Sequence, residues 1–242
     1  MTVLLRLAVI GAGGRLGKLV VAEAARATFD VVAIGRHDDL ATLLPGVAAV
    51  VDVATPGGTA RHAAVCAAAG VPLVVATTGL VGDDHRALDD AAAAIPVLVA
   101  ANLSPGAHLV ALLSAMAAKA MPDADVEIVE VHHRNKKDAP SGTALMLAQA
   151  VEHTRGGARV VAAREGHAPR APGDIGVLAV RGGDVVGEHT VCFFVDGERV
   201  EIAHKVSDRA IFATGAVRAA RFLVGKAPGR YRMTDVLQAG LG

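Results

Sequence analysis

Residues 6–25 read RLAVIGAGGRLGKLVVAEAA, an apolar run followed by a glycine-rich turn and a stretch of helix-forming composition. The apolar residues from Leu5 to Ile10 predict a buried strand. Glycines after a strand let the chain turn tightly and bring backbone N–H groups and a helix N-terminus against a pyrophosphate. The strict GxGxxG pattern is not met, because Leu16 stands in place of its third glycine, and an ordinary strand-to-helix turn is the alternative. We favour a dinucleotide-binding loop made of Gly11, Ala12, Gly13, Gly14, Arg15, Leu16 and Gly17.

The first hundred residues continue this alternation of short apolar runs and alanine-rich helical stretches. Such alternation forms a parallel sheet covered on both faces, so the fold class is α/β. Ligands bind these sheets at the carboxyl ends of the strands, where ATTG and AANLS follow the fourth and fifth strands. Further strands are predicted at Val31 to Ile34, Ala49 to Val53, Leu73 to Ala76 and Val97 to Ala100. ATTG and AANLS predict a floor for the nicotinamide ring of a cofactor, although ordinary loops fit these stretches equally well. The residues of this predicted floor are Ala76, Thr77, Thr78, Ala100, Ala101, Asn102 and Leu103.

The regular alternation of strands and helices ends near Ser104, where we place the boundary between a domain of residues 1–103 and a second domain of residues 104–212. The second domain is predicted to begin with a helix that ends at Met121. The segments predicted after it are a strand at Val126 to Val131, a helix through Val151, and strand-like runs at Arg159 to Ala163, Val177 to Val180, Glu188 to Val195 and Arg199 to Lys205.

Composition excludes several classes of function. Twenty-four basic side chains balance 24 acidic ones and aromatic residues make up 2%, so the basic field and stacking surfaces of nucleic-acid-binding proteins are absent. Cys66 and Cys192 lack CxxC spacing, which indicates neither a disulfide framework nor a zinc site. No stretch reaches the roughly 20 apolar residues of a membrane span, and no targeting segment is recognisable. We expect a cytoplasmic protein without nucleic-acid or membrane partners.

Residues 130–144 read EVHHRNKKDAPSGTA, which places five basic or histidine side chains between His132 and Lys137. One interpretation is a solvated basic turn, as charge runs usually are. The other is a pocket for an anion that also needs a proton. The Pro-Ser-Gly-Thr run leads into an apolar helix from Ala144 to Val151, and the N-terminus of that helix can bind a carboxylate.

Taken together, these stretches resemble the 4-hydroxy-tetrahydrodipicolinate reductase family, also called dihydrodipicolinate reductase. The resemblance runs nearly from end to end and includes the block from Arg181 to Val217, in which VGEHT is specific. It implies a Rossmann-like doubly wound parallel sheet, which a C-terminal helix at Ala213 to Leu223, within residues 213–242, completes. It also implies a smaller α+β substrate-binding domain whose open mixed sheet mediates assembly of a homotetramer.

The resemblance further implies the reaction. The family reduces a cyclic unsaturated imine with two carboxylates to tetrahydrodipicolinate, with loss of water and hydride from NADH or NADPH, in lysine and diaminopimelate biosynthesis. By match to the family's stretch, His132 is the acid that protonates the ring and Lys136 acts with it. Hydride addition leaves electron density on the ring nitrogen and its conjugated carbon, which suits a histidine and an ammonium group. The residues implied to hold the dicarboxylate substrate are His133, Ser141, Gly142 and Thr143.

Two positions depart from the family. Leu103 stands where the family usually has phenylalanine. The place of a ribose-binding acid, some 20 residues beyond the glycine loop, is taken by Gly35 and followed by Arg36. Loss of the acid and gain of an arginine predict a preference for NADPH over NADH, which Asp38 or Asp39 would weaken by folding back to the ribose.

Other readings stay open at this point. An imine or amino-acid dehydrogenase with another substrate would share the glycine loop, and so would a noncatalytic nucleotide-sensing homologue. Glu188-His189 and His204-Lys205 are of metal-binding type, but their strand-like setting favours an interface or core role. We predict no metal.

Overall fold

The structure, a computed structural model, describes residues 4–240. One compact unit comprises residues up to Pro105 and those from Ala210 onward, and the other comprises Gly106–Arg209. The strands are β1 (Arg6–Ile10), β2 (Asp30–Ile34), β3 (Val47–Asp52), β4 (Leu73–Val75), β5 (Pro96–Val99), β6 (Asp125–His132), β7 (Val160–Ala162), β8 (Ile175–Arg181), β9 (Gly187–Val195), β10 (Glu198–Val206) and β11 (Gly229–Tyr231). The helices are α1 (Arg15–Arg26), α2 (Leu40–Leu43), α3 (Thr59–Ala69), α4 (Gly82–Ala92), α5 (Pro105–Ala120), α6 (Gly142–Arg155), α7 (Ala210–Leu223) and α8 (Met233–Gln238).

The first unit contains a six-stranded parallel sheet in the order β11-β5-β4-β3-β1-β2. Side chains alternate along a strand, so both faces of this sheet carry apolar residues. Leu7 and Val9 pack into a core that includes residues of α1 and α7, whereas Ala8 and Ile10 pack into a core with residues of α3 and α4. Helices therefore cover both faces, and the predicted doubly wound α/β fold is confirmed.

The C-terminal segment differs from the prediction of a helix alone. The helix α7 begins at Ala210, three residues before the predicted start, and ends at Leu223 as expected. Gly225 follows with φ +78°, a left-handed conformation that ends a helix, and Pro228 comes shortly after. The chain then adds β11 beside β5 as a sixth strand. The three residues of β11 lack an apolar run, so periodicity could not reveal this strand.

The second unit contains a mixed five-stranded sheet in the order β10-β9-β6-β8-β7. The strands β6, β8 and β7 run parallel, while β9 is antiparallel to both β6 and β10. Val126 and Ile128 of β6 face a buried core shared with residues of α5 and α6. The alternate residues of the same strands, among them Leu178 and Val180 of β8, point to the opposite face, where these two side chains are 47% and 40% exposed. All strands predicted here are present, with ends that agree to within two residues.

No helix among residues 4–240 is both long enough and apolar enough to cross a bilayer.

Candidate active site

The glycine loop leaves the end of β1 at a position that only glycine fits easily. Gly11 has φ +82°, and a side chain there would approach the backbone of Ala54 to 3.0 Å. A Cβ at Gly17 would overlap the carbonyl oxygen of Gly11, so α1 packs against the loop only because this residue is glycine. Leu16 packs instead against the hydrophobic core. The close approach served by the third glycine of the strict pattern thus occurs here at Gly17, one residue later.

The exposed side of this loop is open to an anion. Gly13 has no atom within 4 Å of the place where a Cβ would be, so a ligand can approach the backbone closely. Gly14 is the N-cap of α1 and supplies no side-chain cap, and the first turn of α1 contains no acidic residue. The N-terminal N–H groups and dipole of a helix favour a phosphate in such a position. The loop therefore fits the pyrophosphate of a dinucleotide.

The same edge of the sheet carries the segments that follow β3 and β4. The Asp52 carboxylate at the end of β3 is fully buried; its Oδ1 accepts the Ala54 N–H at 2.9 Å and its Oδ2 lies 2.8 Å from His62 Nδ1. The hydroxyl of Thr77 donates to the Ala54 carbonyl at 3.2 Å, and Thr77 is buried. Thr78 is exposed. Hydrogen bonds with Asp52 and Thr77 thus hold Ala54, which lies against Gly11, in place, and Thr78 presents its polar groups to solvent.

The segment after β5 divides its residues between the core and the surface. Ala101 is exposed and Asn102 is half-buried, with Asn102 Oδ1 accepting the Ser104 N–H at 2.7 Å. Leu103 is 2% exposed and belongs to the core that contains α7, where a Cβ at Gly215 would overlap the Leu103 carbonyl oxygen. The Leu103 side chain therefore serves packing, and only its backbone remains for a cofactor contact.

The turn after β2 contains a carboxylate where the ribose-binding acid was missing from the sequence. Asp38 Oδ2 accepts the Gly35 N–H at 2.7 Å, so the Asp38 side chain folds back to the end of β2. Asp39 is the N-cap of α2 and accepts the Ala41 N–H. Arg36 is exposed. The Asp38 carboxylate therefore lies at the end of β2 beside an arginine that is open to solvent, and its contact with a ribose stays a prediction.

In the second unit, His132 is the last residue of β6 and is 8% exposed. Its Nδ1 lies 2.5 Å from Oε2 of Glu130, which sits two residues earlier on the same face of the strand and is fully buried. Arg181, which lies opposite His132 in the β6–β8 register, donates to both oxygens of Glu130 at 2.8 Å. The Ser141 N–H donates to Glu130 Oε1 at 3.0 Å. Glu130 thus ties together β6, β8 and the start of α6.

Ser141 begins α6 as its N-cap, one residue before the helical residue Gly142 and two before Thr143. Its Oγ accepts the Ala144 N–H at 3.1 Å and lies 3.1 Å from Nε2 of His189. Gly142 is exposed, and its missing side chain leaves open space. The N-terminus of α6 is therefore ordered by Ser141 and accessible beside Gly142, as an anion site requires.

The basic residues after His132 are held by nearby partners. Both oxygens of Asp138 accept bonds of 2.9 Å from Lys136 Nζ. These bonds hold the pKa of Asp138 below its ordinary value. His133 is half-buried and its Nε2 lies 3.2 Å from a guanidinium nitrogen of Arg209. The structure thus places His132, His133, Lys136 and the start of α6 within one unit.

Burial governs the protonation of the histidines. Burial lowers the pKa of His132, and the bond with Glu130 opposes this effect without cancelling it. His189 is 3% exposed and its ring packs edge-on to His132 with centroids 5.2 Å apart. Burial, with the nearby His132, lowers the pKa of His189 to about 4. Burial alone would raise the pKa of Glu130, but the bonds from Arg181, His132 and Ser141 bring it below its ordinary value.

Sequence reasoning missed five side chains of this cluster: Glu130, Asp138, Arg181, His189 and Arg209. The signal for Glu130 was a carboxylate in phase with the buried apolar residues Val126 and Ile128 of the same strand. His189 was assigned to an interface or the core, and it is buried beside His132. Among residues 4–240, no group of three or more His, Cys, Asp or Glu side chains could hold a metal ion.

The family assignment follows from two family models. The one described as "Dihydrodipicolinate reductase, N-terminus" matches residues 5–103, and the one described as "Dihydrodipicolinate reductase, C-terminus" matches residues 106–237. The chain belongs to the dihydrodipicolinate reductase family. This membership confirms the resemblance stated from the sequence. The chain is therefore assigned to a family of oxidoreductases, and its first unit supports a pyridine nucleotide cofactor.

Relatives and solved structures agree with this assignment. The 4-hydroxy-tetrahydrodipicolinate reductase of Anaeromyxobacter dehalogenans (strain 2CP-C) is 45% identical over 238 residues, which cover 96% of this chain and 88% of the relative. The protein of the same name from Acinetobacter baumannii (strain AYE) is 40% identical over 261 residues, with 96% of each chain covered. The dipicolinate-bound dihydrodipicolinate reductase of Paenisporosarcina sp. TG-14 shares the fold, with a TM-score of 0.79 at 22% identity over 95% of this chain and 98% of that one.

Proposed function

We propose that this protein reduces 4-hydroxy-tetrahydrodipicolinate to tetrahydrodipicolinate in lysine and diaminopimelate biosynthesis, with NADPH preferred over NADH. Substrate, reduced nucleotide and one proton give product, oxidised nucleotide and water. The observation that carries the proposal is the buried His132, braced by Glu130 and followed within the same unit by Lys136 and the accessible N-terminus of α6. An acid, a cation and an anion site are the three features that reduction of a dicarboxylate imine needs.

The nucleotide, when bound, supplies the hydride. The residues assigned to hold its pyrophosphate are the backbone of Gly13 and the first turn of α1, because these groups are open and lack a competing side-chain cap. The segments that begin at Ala76 and Ala100, beyond β4 and β5, are assigned to the nicotinamide end. They lie at the carboxyl edge of the same sheet, where ligands of this fold bind.

His132 delivers the proton that balances the hydride. Its Nδ1 faces Glu130, so Nε2 is the ring atom that can transfer a proton to the substrate. A Cβ at Gly187 would lie 3.0 Å from this Nε2, which means that a side chain there would crowd it. The absence of a side chain at Gly187 keeps Nε2 approachable.

The two carboxylates of the substrate are assigned to separate groups. Gly142 and Thr143 present the N-terminus of α6 to one carboxylate, and Ser141 keeps that end of the helix ordered. Lys136, with His133 beside it, serves the second carboxylate and the charge that develops on the ring. The side chain of Lys136 is 19% exposed and that of Asp138 is 62% exposed, so Asp138 is the partner that can yield to a substrate carboxylate.

The preference for NADPH rests on the end of β2. Gly35 provides no carboxylate to accept a ribose hydroxyl, and the exposed Arg36 can donate to a 2′-phosphate. Asp38 opposes this preference, because its carboxylate lies at the Gly35 N–H and would repel the phosphate. A charge-assisted bond of roughly 1.5 kcal/mol corresponds to about tenfold, and Asp38 should reduce the preference below that figure.

Assembly into a homotetramer is proposed from the second unit. One face of its mixed sheet packs on α5 and α6, while the other exposes Leu178 and Val180 and carries the half-buried Val129 and Val131. An apolar sheet face of this kind suits pairing with another copy of the chain.

The experiment that tests the proposed function is a coupled assay with the synthase that makes the substrate, followed by the loss of reduced-nucleotide absorbance. Oxidation of NADPH that depends on both synthase and substrate precursors is expected. Absence of turnover with either nucleotide would refute the proposal.

A further inference from the structure

We propose that Glu130 is a positioning residue, which Arg181 and the Ser141 N–H orient so that it fixes the His132 ring with Nε2 as the proton-transferring atom. The inference rests on the proposed function, because a proton must be delivered for its effect on rate to be seen. Glu130 itself is too deeply buried to contact a substrate, with 0% exposure. It acts through His132.

The hydrogen bonds of Glu130 assign the proton on the His132 ring. Arg181 and the backbone N–H of Ser141 are donors only, and their bonds help to hold the pKa of Glu130 below its ordinary value, so Glu130 accepts them as an ionised carboxylate. An ionised carboxylate can only accept, and Nδ1 of His132, 2.5 Å from Oε2, must therefore carry a hydrogen. In the neutral ring, Nε2 then has the free lone pair, and in the charged ring it carries the second proton.

The same carboxylate prevents the His132 ring from rotating. Oε1 is occupied by Ser141 and one nitrogen of Arg181, and Oε2 by His132 and the other nitrogen of Arg181. A carboxylate bound in this bidentate way has one orientation, since Arg181 forms a planar fork with fixed geometry. The edge-on contact with His189, at 5.2 Å and 76°, confines the other side of the ring.

Within residues 4–240, Glu130 is also the negative group among the charged and titratable residues that act on His132. Those residues are Glu130 on β6, Arg181 on β8, His189 on β9 and Lys136 in the loop after β6. Burial and the two cations lower the pKa of His132, whereas Glu130 raises it. Loss of the Glu130 charge should therefore lower this pKa further and deplete the protonated acid at neutral pH.

The test compares Glu130→Gln with a matched control, Glu127→Gln. Glu127 lies on the same strand and pairs with Arg164 and Arg170, but it points to the opposite face of the sheet. A general acid works only when protonated, so kcat/KM is constant below its pKa and falls as pH rises through it. We expect Glu130→Gln to move this fall to lower pH by about one unit or more and to lower kcat at pH 7 by about 10- to 100-fold. The control should keep the wild-type pH profile.

A second measurement does not depend on turnover or on the variant's folding. Nitrogen-15 NMR of histidine in the wild-type protein should show neutral His132 protonated at Nδ1. An Nε2-protonated ring, or a pH profile of folded Glu130→Gln identical to that of the wild type, would overturn the role of Glu130. Failure of the proposed function would look different, since the wild-type protein would then not oxidise the nucleotide at all while the NMR result still stood.

Discussion

Replacement of His189 by glutamine is expected to make the protein less sensitive to acid. His189 is 3% exposed, and burial lowers its pKa to about 4, from an ordinary value near 6.5. The unfolded chain therefore binds a proton at this residue more readily than the folded chain does. Stability from neutral His189 is fully present above the unfolded-state pKa, and it is lost progressively as pH falls from about 6.5 to about 4.

The size of the effect follows from the difference between the two pKa values. A difference of about 2.5 units corresponds to roughly 3 kcal/mol when both states have become protonated. At pH 4.5 most of this, about 2 to 3 kcal/mol, should already be lost. Domains of this kind are stable by only about 5 to 15 kcal/mol in total, so the loss is large enough to measure.

Urea unfolding at pH 7 and pH 4.5 measures the effect. Other groups also lose stability in acid, so the quantity of interest is the loss in the wild-type protein minus the loss in His189→Gln. A glutamine amide can still bond the Ser141 hydroxyl, which keeps the comparison close. His153→Gln serves as control, because His153 is exposed on α6. Equal losses in wild type and His189→Gln would refute the assignment of His189 as a buried neutral ring.

Further outcomes are expected for catalysis, nucleotide preference and assembly. His132→Gln should lower kcat by about 10²- to 10⁴-fold with little change in nucleotide affinity, and Lys136→Ala should lower kcat and raise KM together. Steady-state kinetics measure kcat and KM, and fluorescence titration measures nucleotide affinity. A near-normal kcat in His132→Gln would show that His132 is not the acid. With kcat/KM measured for both nucleotides, Arg36→Ala should reduce the preference for NADPH and Asp38→Asn should increase it. A wild-type protein that uses NADH several-fold better than NADPH would contradict the role proposed for Gly35 and Arg36. Light scattering at micromolar concentration should report a tetramer, and a clean monomer would exclude that assembly.

Much of the fold was predictable from the sequence, because its signals are local. The alternation of apolar runs and helical stretches predicted five of the strands of the first sheet, and strand-like runs of residues predicted those of the second. The strand β11 was not predictable, since Gly229–Tyr231 pairs with β5 from far along the chain and has no apolar pattern of its own. The glycine loop was predictable, but only packing shows that Gly17 provides the close approach that Leu16 could not.

The candidate site was predictable only where its residues lie within one stretch of sequence. His132, His133, Lys136 and the start of α6 all fall between residues 130 and 144. Arg181 comes beside Glu130 through the register of β6 and β8, which apolar periodicity does not specify. The fold-back of Asp38 depends on side-chain geometry within one turn, so the sequence could state it only as an alternative.

Isotope transfer tests the central claim, hydride reduction of 4-hydroxy-tetrahydrodipicolinate by this protein, most directly. The coupled reaction is run with NADPH deuterated at the reactive nicotinamide carbon, and the product is analysed by mass spectrometry. Our expectation is tetrahydrodipicolinate that carries the deuterium, in an amount equal to the nucleotide oxidised, and much less of it from His132→Gln. Oxidation of the nucleotide without labelled tetrahydrodipicolinate, or no oxidation at all, would contradict it.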